Sequence, residues 1–162
     1  MYKIIKKGVL NLELAGLSEC VLNLEKDEEK RKKLLIDIIS YVKDKCLKYT
    51  KETKMNFVVS ETSKYRPLKK LMELDKAIYG IKEGITDKEH YSSIDNLFNF
   101  KNKEEDFKYM GQYQKLLTGG NSFKINLPKT VKQKDILNII NCLIEYDIGF
   151  IKFGGENYSY GN

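Results

Sequence analysis

Met55-Asn56-Phe57-Val58-Val59 runs straight into Ser60-Glu61-Thr62-Ser63, and this junction decides the fold. The first five residues are mostly β-branched or aromatic, which suits a pleated strand. The next four are residues that cap helices, and Pro67 belongs in the first turns of the helix they would open. Leu68, Leu71 and Met72 then carry a helical stripe to about Tyr79-Gly80. A strand feeding directly into a helix is the elementary unit of a parallel sheet.

Working outward, the same alternation recurs. Upstream, Gly8 to Leu14 reads as a strand, broken at Ala15-Gly16, and Leu17 to Leu24 as a short helix. Asp27 caps a long helix whose first turn is acidic at Glu28 and Glu29, which complements the positive end of the helix dipole. Leu35, Ile38, Ile39, Val42, Cys46 and Tyr49 recur at spacings of three and four, predicting one buried stripe. Downstream, residues 81 to 103 are irregular, and a connection of that length in a compact domain is usually functional or an insertion. A helix over Glu104 to Leu117, a strand over Ser122 to Leu127, a helix capped by Thr130 and a strand over Ile148 to Phe153 complete the pattern. Along the last helix, Ile136, Ile139, Ile140, Leu143 and Ile144 are predicted to face inward. The expectation is an α/β fold of largely parallel strands, with residues 1-162 forming a single domain.

Composition narrows the functional classes. Of 162 residues, 41% are hydrophobic and 32% charged, as expected of a folded chain that buries a core. No apolar run is long enough to span a bilayer, and the N-terminus does not read as a signal peptide, so the expected location is cytoplasmic. Cys20, Cys46 and Cys142 are widely spaced and odd in number, which suits neither a disulfide framework nor a zinc site; they read as small buried hydrophobes. The net charge of +6 invites a nucleic-acid reading. Acids and bases alternate from Glu25 to Leu35, however, and Arg31 and Arg66 are the only arginines. A solvated surface explains the charge without DNA or RNA, while attraction to nucleotides remains open.

Ligands of parallel α/β folds gather at the carboxyl ends of strands. Two segments meet that rule: Ala15-Gly16-Leu17-Ser18-Glu19, and Ser60-Glu61-Thr62-Ser63, where free helix amides and hydroxyls could cradle phosphate. On local sequence alone, ordinary helix capping is the commoner explanation of the second. Thr118-Gly119-Gly120-Asn121 precedes a strand, the wrong end for a site, and helix termination explains it. There is no P-loop, dinucleotide fingerprint or nucleophile elbow. Glu19, Glu61 and Asp75 read as isolated carboxylates, and Cys20 as a thiol on an apolar helix face. No self-sufficient catalytic site is expected.

In order, these segments resemble the C-terminal part of the large subunit of anaerobic (class III) ribonucleoside-triphosphate reductase. Gly16-Leu17-Ser18-Glu19 is similar to that family's Gly-Leu-Asn-Glu, and Glu61-Thr62-Ser63 with Tyr65-Arg66 resembles its Pro-Ala-Glu-Ser/Thr-Thr and Tyr-Arg. Leu74-Asp75-Lys76, Tyr79-Gly80 and Gly84-Ile85-Thr86-Asp87-Lys88 through Tyr91 resemble Leu-Asp-Lys, Tyr-Gly and Gly-Val-Thr-Asp-Lys-x-Tyr-Tyr. Gly111, Tyr113, Lys115, Gly119 and Gly120 match Gly-Pro-Tyr-His-Lys and a Gly-Gly pair. Val59-Ser60 stands in place of Pro-Ala.

The resemblance implies half of a ten-stranded glycyl radical enzyme barrel. It also implies radical reduction of ribonucleotides to deoxyribonucleotides, with a ribonucleoside triphosphate as partner. Glu61, Thr62 and Ser63 would lie at the substrate phosphates, and Gly16, Glu19, Gly119 and Gly120 in barrel loops. The family's thiyl cysteine lies upstream of this region and its zinc cysteines and radical glycine downstream, and Gly161-Asn162 does not match the glycine segment. The expectations are therefore no catalytic residue, metal or cofactor in this chain, inactivity alone, and a homodimer or a complementing reductase fragment as partner. The competing expectation is a non-enzymatic interaction or nucleotide-binding module.

Overall fold

A computed structural model of the protein describes residues 8–62, 65–92, 94, 103–121, 123–127 and 132–155. The elements alternate in the order β1 (Val9–Leu14), α1 (Leu17–Leu24), α2 (Glu28–Thr53), β2 (Asn56–Glu61), α3 (Tyr65–Tyr79), α4 (Lys103–Leu116), β3 (Phe123–Leu127), α5 (Gln133–Glu145) and β4 (Ile151–Gly155). β1 pairs with β2, and β3 with β4, both in parallel. The parallel α/β expectation holds as two short sheets, joined by a parallel bridge between Ser60 and Gly120.

Local chemistry sets the boundaries. Asp27 caps α2 by accepting the Lys30 N–H at 2.9 Å. Of the α2 stripe, Leu35, Ile39 and Cys46 are buried, whereas Tyr49 is half exposed and edges onto Phe57. β2 extends two residues past the expected Val59, because both its edges find partners there. The Thr62 N–H donates to the Leu14 carbonyl at 2.9 Å, and the Gly119 N–H to the Val59 carbonyl at 2.7 Å. Ser60 and Glu61 therefore belong to the strand, not to a helix cap.

The C-terminal third differs more. α5 begins after Lys132, whose N–H meets the Asp135 carboxylate, so Lys132 and not Thr130 is the cap residue; Thr130 itself lies outside the described residues. On α5 only Ile139 is fully buried, with Cys142 and Leu143 packed against the core beside it, while Ile144 is 74% exposed on the far side of the helix. The last strand starts at Ile151 and not Ile148; Ile148 is buried before the strand begins, its N–H bonded to the Leu143 carbonyl.

One apolar cluster links these elements. Val21, Leu35, Ile39, Val59, Ile94, Phe107, Met110, Tyr113 and Phe123 interlock at its centre. Tyr113 meets Phe123 edge to face, with ring centroids 5.5 Å apart. Lys32 is buried where α2 crosses α4, held by Asp106 at 3.2 Å and Glu29 at 3.1 Å. Burial alone would lower the ammonium pKa, but the Glu29 and Asp106 carboxylates outweigh it and raise it above the usual lysine range. Of the three cysteines, Cys46 is buried and Cys142 partly so, but Cys20 is exposed, because it faces away from the side of α1 that packs.

Candidate functional site

The carboxyl ends of β1 and β2 lie side by side, and the connection after α3 crosses them. Gly16 ends β1 with a φ of +71°, a conformation that glycine adopts without strain, and turns the chain into α1. A Cβ on Gly16 would stand 3.3 Å from the Tyr91 ring, so the bare backbone is what lets Tyr91 lie flush against this turn.

Three residues on, Glu19 is almost fully buried. Its Oε1 accepts the Ser92 N–H at 3.0 Å and the Lys88 ammonium at 3.1 Å. Glu61, at the end of β2, accepts the Ile94 N–H on Oε1 at 2.7 Å and the Tyr113 hydroxyl on Oε2 at 3.1 Å. Asp75 on α3 accepts the Tyr91 hydroxyl. The three carboxylates are thus anchors for the connection, not isolated groups. Two of them grip amides two residues apart, at 92 and 94, pulling this stretch across both strand ends.

Further contacts brace the same segment. Thr86 folds the turn after Gly80, accepting the Lys82 N–H at 2.7 Å and donating to the Gly80 carbonyl at 2.9 Å. Lys76 donates to the Lys88 carbonyl, and Lys69 pairs with Glu89 at 3.2 Å. Burial, reinforced by the Asp75 and Glu19 charges, raises the Tyr91 pKa, so its hydroxyl stays a donor. A cleft of about 330 Å³ opens beside this network, lined by Gly16, Glu19, Cys20, Asn23, Asp75 and Tyr91 among others.

The structure brings together Gly16, Glu19, Glu61, Gly119 and Gly120, which are spread over more than a hundred positions. Gly119 and Gly120 correct one expectation. The segment before β3 continues β2's open edge, so the pair sits beside Val59 and Ser60 at the carboxyl end and not at the wrong end of the sheet. A Cβ on Gly119 would fall 2.6 Å from Asn11 Oδ1 and 3.1 Å from Ser60 Cβ, so only glycine allows this approach. Thr62 is buried beside Leu14, and Ser63 lies outside the described residues.

Sequence reasoning gave no role to Lys88, Tyr91 or Tyr113. The only signal that marked them was the family resemblance, and the structure accounts for it, since each closes a bond to Glu19, Asp75 or Glu61. Among the described residues, no cluster of histidine, cysteine, aspartate or glutamate could hold a metal ion, and no helix is long and apolar enough to cross a membrane.

Parallel strands that feed helices, with strand-end carboxylates tying down a long connection, define a piece of a loop-bearing α/β scaffold. Comparison with known proteins makes this specific. Residues 1–157 match the family model of anaerobic ribonucleoside-triphosphate reductase, and the chain belongs to that family. Its fold is similar to the anaerobic ribonucleotide reductase from Thermotoga maritima, solved with dATP in the specificity site, at a TM-score of 0.67 and 15% identity over 90% of this chain. A second anaerobic ribonucleotide reductase gives a TM-score of 0.66 at 15% identity over 91% of the chain. The chain spans about a quarter of the length of each, 25% and 24%. No curated protein matches the sequence.

Proposed function

We propose that this chain is the nucleotide-holding segment of an anaerobic ribonucleoside-triphosphate reductase, part of its α/β barrel, and that the junction between β2 and α3 meets the phosphates of a ribonucleoside triphosphate. In this reading the chain binds and positions, while further reductase segments bring the cysteine and glycine of the radical chemistry. The observation that carries it is the convergence of the family-like residues on the carboxyl ends of β1 and β2.

Within the junction the work divides by charge. Glu61 has a protein donor on each carboxylate oxygen and would repel phosphate, so its part is to hold the loop. The attractive side is the start of α3, which has no acidic residue in its first turn and carries the exposed Arg66 at the positive end of the helix dipole. A guanidinium there can take two phosphate oxygens at once. Thr62 and Ser63 complete the cradle.

Titration with ATP, followed by amide resonances, tests this reading. Shifts are expected around Thr62 and Arg66, absent with adenosine, and about tenfold weaker binding in Arg66→Ala, as for loss of one charge-assisted contact. Replacing Thr62 by leucine should weaken binding as well. Titration without any shift near these residues would sink the cradle.

A further inference from the structure

The end of β2 is held by one continuous stretch of chain, the last part of α4 and the turn that follows it. The Tyr113 hydroxyl donates to Glu61 Oε2 at 3.1 Å. Further along, Thr118 Oγ1 accepts the Val59 N–H at 3.2 Å, the Gly119 N–H donates to the Val59 carbonyl at 2.7 Å, and Gly120 bridges to Ser60. Val59, Ser60 and Glu61 are thus all fixed from the α4 side. Thr62 is fixed from β1, through the Leu14 carbonyl.

Glu61 is where this stretch meets the connection. Its other oxygen, Oε1, accepts the Ile94 N–H at 2.7 Å, and Tyr113 and Ile94 are both fully buried. A carboxylate gripped by two groups that the core immobilises cannot turn away without losing a bond to a charged acceptor. The next residue is Thr62, and the start of α3 with Arg66 follows shortly after. A carboxylate swung toward that side would oppose a phosphate there at close range.

We infer that Tyr113 is a positioning residue for the nucleotide: acting through Glu61, it couples occupation of the junction to the seating of the connection at Ile94. The inference rests on the nucleotide reading above and deepens it. The coupling is reciprocal, because two events that share one coupling free energy favour each other equally. Phosphate held at Thr62 and Arg66 tightens the grip of Glu61 on Ile94, and loss of that grip weakens phosphate binding. Tyr113 itself does not touch the ligand, since its ring is buried against Phe123.

Titration of the full chain with ATP, read by amide resonances, tests this in the native chain, in Tyr113→Phe and in Ile39→Val. The last trims a fully buried side chain on α2 and serves as a destabilised control. Tyr113→Phe should bind ATP at least about fivefold more weakly, the lower end of ordinary coupling between sites, while the control binds as the native chain does. In the native chain the Ile94 amide should shift together with those of Thr62 and Arg66, and adenosine should move none of them. Equal affinity in the native and Tyr113→Phe chains overturns the inference, as does equal weakening in the control. So does an Ile94 amide that stays put while Thr62 and Arg66 respond, a measurement that needs no variant. Each of these results leaves the nucleotide reading standing. No response at Thr62 and Arg66 in the native chain overturns that reading, and the coupling with it.

Discussion

The Tyr113 hydroxyl, on α4, donates to Glu61 Oε2 at the end of β2 across 3.1 Å, although the two residues are 52 positions apart. The ring of Tyr113 is fully buried against Phe123, so its hydroxyl cannot swing elsewhere. This one contact ties the apolar core to the loop that crosses the strand ends.

Replacing Tyr113 by phenylalanine keeps the ring and removes the donor. The expected loss is about 1.5–3 kcal/mol, the value of a hydrogen bond to a charged group. Urea denaturation measures it, and the Ile94 amide, bonded to the other oxygen of the same carboxylate, should shift in the native spectrum.

Lys88→Met withdraws the ammonium from buried Glu19 and leaves that carboxylate with the Ser92 amide. Because Lys88 is itself partly exposed, the expected loss is moderate, about 1–3 kcal/mol. Faster exchange at Ser92 than in α2 would show that the connection, and not the whole chain, has loosened. Equal acceleration everywhere would contradict this.

Gly111→Ala should be among the most damaging single changes. A Cβ there would sit 2.2 Å from the Tyr146 carbonyl oxygen, a backbone atom that cannot step aside. Separating α4 from the end of α5 should cost about 1–3 kcal/mol or more, read as a lowered midpoint in thermal or urea melts.

The Lys32–Asp106 pair makes the chain vulnerable to alkali. The Lys32 pKa is raised in the folded state, so its contribution is complete below the unfolded lysine value of about 10.4 and disappears as pH climbs through the higher folded value. Tyr91 and Tyr109, both raised chiefly by burial, add to the loss above about pH 10, the ordinary tyrosine value. Lys32→Met should cost about 3–5 kcal/mol at neutral pH by stranding Asp106, and Lys32→Met with Asp106→Leu should recover most of it. Alkaline melts of the single and double variants check both statements.

The order and type of the elements were legible because each rests on local chemistry. α1 fell at Leu17–Leu24 as expected, and Asp27 capped α2, since helix periodicity and a capping side chain act within a few residues. Local signals misled where a distant partner intervened. Ser60 and Glu61 look like helix-capping residues but are strand, because Leu14 and Gly119 hold the segment from both sides. Ile144 looks buried by period but faces out, because nothing among the described residues covers that side of α5.

By itself, the sequence determined an alternating α/β chain, its parallel pairing and its kinship with the anaerobic reductases, all of which rest on periodicity and the order of short motifs. Only the tertiary structure decided what the motif residues do. Glu19 finds Ser92 across 73 positions and Glu61 finds Ile94 across 33, turning apparently isolated carboxylates into the fasteners of one loop. Gly119 and Gly120 likewise moved from the wrong end of a sheet to the right one. The physical reason is the same in each case: a hydrogen bond depends on distance in space, and sequence separation carries almost none of that information until the sheet has formed.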